Sequence, residues 1–453
     1  MKRNIFGRIT LRLIIAAFLF FAINCAGSGV YYSGIENKLA SGDYYNAAID
    51  IENNNKIYNE NNVLLFHLDK GVTFHYGAEY DSSINYFIKA ENLIEDLYTK
   101  SVSRKVLSFV VNDNILPYEG EDFEKVLINL FLALNFAKKG MSEDALVEAR
   151  KVDLKLGELS RKYEYKNKYK ENAFIRYIAG ALYENENELN DAFISYKKSY
   201  DAYTSLYEKE YGTPPPSFLL NDLVRTAGQL SFSEEVDRYK SLGGELYPPP
   251  DEKWGSIIIL VYTGMGPIKR EERITVSIPD SSGIIHTFQV ALPKFVRRQM
   301  GTFNHDVIIA TDKDSSVIKT EVVENITTIA EKALEDRLTL IYLKSGGRAL
   351  LKFLASEKLK KELKKGKKGE VTNILGSLAV DLTIGATEQA DLRCWRLIPS
   401  EIQMTRIFKK PGKYKVSVYN PVNNELLKSE DVEIKEFKTS FVIVNDLKSF
   451  ISK

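Results

Sequence analysis

Residues 180–196 read GALYENENELNDAFISY, and the spacing inside that stretch decides the fold of the first half of the chain. Gly180 leads to a turn position at Asn187; Leu189 comes two residues later, Ala192 five after the turn, and Tyr196 four after that. The same order recurs upstream. Gly71 leads to Ala78, Tyr80, Ser83 and Phe87, while Gly42 precedes Tyr44, Ala47 and Ile51, and Gly140 precedes Ala145 and Ala149. Gly71 and Gly180 each stand twelve residues before the small position, with Phe74 and Tyr183 three further on. Two antiparallel helices approach closely only where small residues face each other, and larger residues one turn away fill the groove. The pattern therefore predicts helical hairpins over most of residues 30–240.

This arrangement resembles the tetratricopeptide repeat. The small positions lie 36, 62 and 47 residues apart, so only the first interval is near the repeat's usual length of about 34. The others imply insertions, notably at residues 100–125. Two proline clusters, Pro214–Pro216 and Pro248–Pro250, bracket a last hairpin at about 217–241. A triple proline cannot continue a helix, so the second cluster is expected to end a repeat domain of residues 25–247, with few contacts crossing it. A concave groove lined by tyrosines such as Tyr76, Tyr80, Tyr183 and Tyr196 is expected to hold a partner segment.

Residues 251–453 change period. Ser256–Tyr262 is a continuous apolar strand, while Arg273–Ile278 and Ile284–Leu292 alternate. Residues 316–363 read as helix, with Val323, Ile326, Ile329 and Leu334 on one stripe, and a small-residue helix is expected at 371–390. Strands return at Ile402–Phe408, Lys413–Tyr419, Val432–Ile434 and Ser440–Val444, around a turn at Pro411-Gly412. The chain thus reads as multidomain: an all-α repeat region, then an α+β domain containing a small antiparallel β-sandwich.

The N-terminus has its own signature. Lys2, Arg3, Arg8 and Arg12 precede or open an eleven-residue apolar run, Leu13–Ile23, which ends at Asn24-Cys25-Ala26. The run is short for a membrane span and suits a secretory signal. A cysteine directly after it resembles the bacterial lipobox, although Ala22 and Asn24 stand where that motif usually has leucine and a small residue. The resemblance implies removal of residues 1–24 and lipidation of Cys25, hence a membrane-anchored outer-membrane or envelope lipoprotein. Losing four basic residues and no acid takes the formal charge from +1 to −3, which gives no electrostatic case for nucleic acid. With Cys25 acylated only Cys394 remains, so no internal disulfide forms; that lone thiol reads as packing.

Several phrases resemble a poorly characterised family of bacterial tetratricopeptide-containing lipoproteins. They are Tyr118–Glu124, Asp144–Arg150, Asn172–Tyr177, Val261–Lys269 and Glu388–Pro399. Genes of that family often neighbour a lipoprotein that activates penicillin-binding proteins. The resemblance implies an envelope location and a link to cell-wall or outer-membrane assembly, and it implies no reaction.

Candidate partner-binding residues are Glu148 and Arg150 in the third hairpin, and Glu388, Asp391, Arg393 and Trp395, with Arg396 beside them. Tryptophan and arginine dominate binding hot spots. Glu148 and Arg150, two apart on a helix, point to different faces, and packing is the competing role for both groups. Glu388 and Asp391 lie one helical turn apart, a spacing that acid–base chemistry could use. Gly264–Pro267 reads as a turn, because no helix follows it to bind phosphate. His67, His75, His286 and His305 have no metal-ligand spacing; His67 and His75 are placed across a helix pair. The lysines of 358–368 read as a solvated tract that could touch a cell-wall polymer or anionic lipid. The expectation is a non-enzymatic envelope scaffold without cofactor or metal. The competing reading is a glycan- or peptidoglycan-binding module, or hydrolase, in the second half.

Overall fold

The computed structural model describes residues 27–104, 116–248, 253–279, 285–298, 303–311, 314–338, 341–342 and 389–448. Cys25 and the signal region, Glu388, the lysine tract of 358–368 and most of the expected 371–390 helix lie outside the described residues.

Ten α-helices build five hairpins. They pair as α1 (Gly27–Ala40) with α2 (Tyr44–Asn53), α3 (Val63–Tyr76) with α4 (Tyr80–Arg104), α5 (Asp122–Lys138) with α6 (Ser142–Lys162), α7 (Ala173–Asn185) with α8 (Leu189–Ala202), and α9 (Ser217–Gln229) with α10 (Ser233–Ser241). One turn is used five times. Gly42, Ala78, Gly140, Asn187 and Ser231 all adopt positive φ. In each case the next residue's N–H reaches back to the first helix: Asp43 to Lys38, Glu79 to Phe74, Met141 to Phe136, Glu188 to Tyr183 and Phe232 to Ala227. That is the Schellman termination, in which a left-handed residue satisfies the helix's orphan carbonyls.

The small positions behave as their spacing predicts. Ala47, Ser83, Ala145 and Ala192 are fully buried. A Cβ added to Gly71 would lie 2.6 Å from the Phe87 ring, and one on Gly180 would lie 2.5 Å from Tyr196. Both glycines are thus places where an aromatic ring lies flat on a helix backbone.

After α8 the chain winds through a π-helix, Tyr203–Tyr211, whose tyrosines 203, 207 and 211 meet edge to face. The second half holds strands β1 (Gly255–Met265), β2 (Ile268–Pro279), β3 (Ile285–Val296), β4 (Asp306–Ala310), β5 (Ser315–Lys319), β6 (Glu321–Glu324), β7 (Pro399–Lys409), β8 (Gly412–Asn420), β9 (Glu425–Ile434) and β10 (Thr439–Asp446). Helix α11, residues 326–338, follows β6. Two corrections follow. Residues 315–319 and 321–324 are strands rather than helix, so Val323 belongs to β6, where Glu321 and Val322 pair with β7. The sheets are also not wholly antiparallel, since β1 pairs parallel to β10.

One four-stranded sheet has the order β10-β1-β7-β6, a second β5-β4-β8-β9, and β2 with β3 forms a separate ribbon. The two sheets stack on Ile257, Ile259 and Val261 of β1 together with Val307, Ile309, Val416 and Val418. The alternate residues of β1, Ile258, Leu260 and Tyr262, enter the same core as Leu68, Phe131 and Ile178 of the helices. This explains the continuous apolar run: a strand covered on both faces has no polar side.

The expectation that few contacts cross the Pro248 cluster is therefore wrong. The first helix of the hairpins faces the strands and the second lies outside. Fourteen of the 17 residues of α5 are buried, against seven of 21 in its partner α6. The side of the hairpins expected to form an open groove is covered by β1, β7, β10 and residues 389–398.

Candidate functional site

Glu148 and Arg150 do not line a groove together. Glu148 is buried, accepting from Asn129 Nδ2 at 2.5 Å and Lys151 Nζ at 3.0 Å. Asn129, Lys151 and Lys155 also donate to Glu91. Burial alone would raise the Glu91 carboxyl, but Lys155 and its other donors hold it down at about 2. Arg150 points elsewhere, 3.3 Å from the exposed side of Tyr183 at its hydroxyl. Packing between α4, α5 and α6 accounts for Glu148.

The cluster around Trp395 is also internal, in line with the packing role and not with a recognition patch. Trp395 is 1% exposed. It lies edge-on to Phe87 and Phe131 at 5.8 and 5.7 Å, and its backbone N–H donates to Glu124 Oε1 at 2.6 Å. Arg393 pairs with Asp391 at 2.7 Å and donates to Leu116 O at 2.9 Å. Arg396 reaches Glu36 at 2.8 Å and covers the Tyr32 ring. These residues dock the 389–398 segment onto helices. Burial pushes the Cys394 thiol up to about 11, so it stays protonated and packed.

Charges meet across the joint, most of them with the acid on the helical half, although Lys138 and Lys168 reverse the sense towards Glu430 and Glu335. The helical half supplies Glu36, Glu121, Glu184 and Asp222. The strand half supplies Arg298 and Arg396 to Glu36, Lys269 and Arg337 to Glu121, and Arg406 to Glu184 and Asp222. His75 and His67 lie on one helix, α3, not across a pair. Burial lowers His75 to about 4, so it sits as a neutral imidazole between Asn135 and the Tyr262 hydroxyl, 2.8 Å away. His305 is buried between Gln403 and Asp446. Of the tyrosines expected in a groove, Tyr76 donates to Leu397 O and Tyr196 to Glu184. Their hydroxyls satisfy the joint rather than a guest.

Among the described residues, a concavity opens beside the joint. It has a volume of about 360 Å³ and lies between the ends of α7 and α9 and the adjoining ends of β1, β7 and β10. Its floor is an arginine pair. Arg406 contacts Glu184 at 2.9 Å, Asp222 at 3.1 Å and the Tyr196 hydroxyl at 2.6 Å. Arg225 pairs with Glu184 and with Asp222 at 2.7 Å. Tyr177 donates to the other Asp222 oxygen at 2.5 Å. Both guanidiniums stack on Phe408, at 4.7 and 4.6 Å from its centroid, an arrangement suited to a flat delocalised cation. The Arg225 Nε is buried and has no hydrogen-bond partner.

Leu246, Trp254, Phe408 and Phe437 give the walls an apolar part, beside the polar Asn187, Gln229, Lys438 and Thr439. Phe437 is 60% exposed and adopts a φ of 56°, left-handed backbone that costs a bulky residue about 1–3 kcal/mol. Sequence reasoning missed this site entirely. The available signal was Arg406, which shares a strand face with Ile402 and Met404, where a lone cation demands buried partners. No family model and no curated protein matches this chain.

Proposed function

We propose that this chain is a lipid-tethered envelope protein whose binding site is the cleft over Arg225 and Arg406. The cleft carries the reading: a concave site that brings aromatic and aliphatic side chains together with convergent polar groups is the usual form of a ligand site. The open repeat groove gives way to a smaller recognition surface, because the strands cover that side of the hairpins. Its floor guanidiniums stay charged at any physiological pH and transfer no proton, which favours binding over catalysis there. The five hairpins, four of them with the small-residue spacing, support a degenerate tetratricopeptide-type repeat. The apolar run ending at Cys25 supports the lipid anchor and envelope location, and the resemblance of the quoted phrases supports a role in wall or outer-membrane assembly.

The test is site-specific photocrosslinking in intact cells. A photoreactive residue at Gln229, on the cleft wall, should give a discrete crosslinked protein. The same residue at Val422, exposed on the far β8–β9 turn, should give none. Equal labelling at both positions would sink the proposal.

A further inference from the structure

We infer that the cleft takes the free carboxylate end of a peptide whose last side chain is apolar; this rests on the proposal that the cleft is the binding site. Three observations converge on that chemistry. The first is a vacant donor: the Arg225 Nε–H is buried without an acceptor, although the other guanidinium nitrogens of Arg225 are engaged by Glu184 and Asp222. Arg225 lines the cleft, and a buried donor left unmade is costly, so a ligand oxygen that gains it through a small shift of the cleft side chains gains more than one at the surface.

The second is charge. Among the described residues lining the cleft, Arg225, Arg406 and Lys438 are cationic and Glu184 is anionic. Including Asp222, which pairs with both arginines from behind, the site still carries one more positive charge than negative. The Glu184 carboxylate is occupied by Arg225, Arg406 and the Tyr196 hydroxyl. The acids are thus spent on the floor, while the excess cation, Lys438, stands on the cleft wall. An anion meets attraction on entry, and a cation finds no free acid among these residues.

The third is shape and polarity. Leu246, Trp254, Phe408 and Phe437 offer apolar contact directly above the arginines. A bare inorganic anion would leave those walls unused, and an apolar molecule would leave the Nε–H unmade. A peptide end satisfies both, because its carboxylate and its last side chain branch from one carbon. The cleft has a volume of about 360 Å³. That is room for a chain end rather than a folded domain. The exposed Phe437, held in left-handed backbone at the rim, is placed to close over the side chain.

The experiment uses full-length protein in detergent and fluorescent hexapeptides ending in leucine, phenylalanine or lysine, each as free acid and as terminal amide. Free acids ending in leucine or phenylalanine should bind, and amidation should weaken them at least tenfold. Lysine-ending acids should bind less well. Arg225→Gln should abolish the preference for acid over amide. Because that variant disturbs the buried network, the exposed double variant Phe437→Ser with Lys438→Ala provides the folding-neutral arm and should weaken binding at least tenfold. Amides binding as well as acids, or neutral chitooligosaccharides binding where peptides do not, would overturn the inference. A crosslinked protein from Gln229 without acid preference leaves the cleft as the binding site and removes only the carboxylate. Peptide binding without any cellular crosslink keeps the ligand chemistry and removes the protein partner.

Discussion

Inside the hairpins, small residues let helices approach: Gly71 lies under Phe87 and Gly180 under Tyr196, while Ala145 and Ala192 are fully buried. At the joint between helices and strands, carboxylates meet guanidiniums and ammoniums: Glu36, Glu121, Glu184 and Asp222 against Arg298, Arg396, Lys269, Arg337 and Arg406. The two regions hold together for different reasons. A hairpin is stabilised by contact area between segments a dozen residues apart, and each contact adds a little. The joint combines an apolar core, built on Trp395, Tyr262 and Phe131, with buried ions that tolerate no missing partner. A polar joint of this kind fixes one orientation of the halves, since sliding by a few ångströms would strand several charges together.

The sharpest way to break that comparison is to cut the chain at residue 248. The helical fragment would expose Phe131 and Tyr177, strip Glu36 and Glu121 of their cations, and leave Glu184 and Asp222 sharing Arg225 alone. We expect neither 27–248 nor 253–448 to unfold cooperatively alone, and co-expression of the two to restore a single transition. Calorimetry on each preparation checks this. An isolated helical fragment with a sharp transition near that of the full chain would mean that the hairpins do not need the joint.

Single substitutions come next. Arg406→Leu leaves Glu184 and Asp222 sharing Arg225, and removing one partner of a buried pair costs about 3–5 kcal/mol. Trp395→Ala empties the space between Phe87 and Phe131 at a cost of about 3–5 kcal/mol. Denaturant titration should give both losses with the slope unchanged. A loss under about 1 kcal/mol for both would mean that the joint is loosely held.

How much of this was legible follows the same division. The hairpin turns were readable at Gly42, Ala78, Gly140 and Asn187, because a left-handed residue and a small residue five later are local signals. The fifth hairpin breaks the pattern: Ser231 takes the turn and Val236 the small position. The joint was unreadable because its partners lie far apart, Glu36 and Arg396 by 360 residues. Each acid and each base, taken alone, looks like a surface charge. Two signals pointed to it. The unbroken run Ile257–Tyr262 required cover on both faces, and Arg406 interrupted an apolar face. The short strands β4 and β5 escaped because residues 306–319 lie among polar turns and were partly absorbed into an expected helix.

Acidity separates joint acids that have cations from those that lack them. Burial pushes the Glu324 carboxyl up to about 8, although Asn172 and Tyr207 donate to it. The folded state therefore holds a proton that the unfolded chain releases from about pH 4.5 upward. This stability is full below pH 4.5 and is lost as pH rises towards 8. Asp69, raised by burial to about 7, loses stability in the same sense but finishes earlier. Burial raises the Glu124 carboxyl in the same sense, so these groups share the decline towards pH 8, and Glu324→Gln should make it shallower. Thermal melts at half-unit steps check this; an unchanged slope in the variant would place the titration elsewhere.

The smallest effects test the hairpins themselves, through two glycines that helix propensity alone would treat alike. Gly180 sits mid-helix in α7, where an added Cβ would meet the Tyr196 ring at 2.5 Å. Tyr196 is fully buried and donates to Glu184 under the cleft, so its ring has no free space to move into. Gly180→Ala should then cost about 1–3 kcal/mol as overpacking. Gly157 sits in α6 with only the flexible tip of Arg161 near, at 3.7 Å. There alanine removes the conformational penalty of glycine and should stabilise by about 0.5–1 kcal/mol. The two substitutions should shift the melting temperature in opposite directions, and the double variant should equal their sum because the sites share no neighbour. If Gly180→Ala also stabilises, the ring-on-backbone contact is not what sets the hairpin spacing. The Gly71–Phe87 pair, with the same geometry, would then be the next to re-examine by the same substitution.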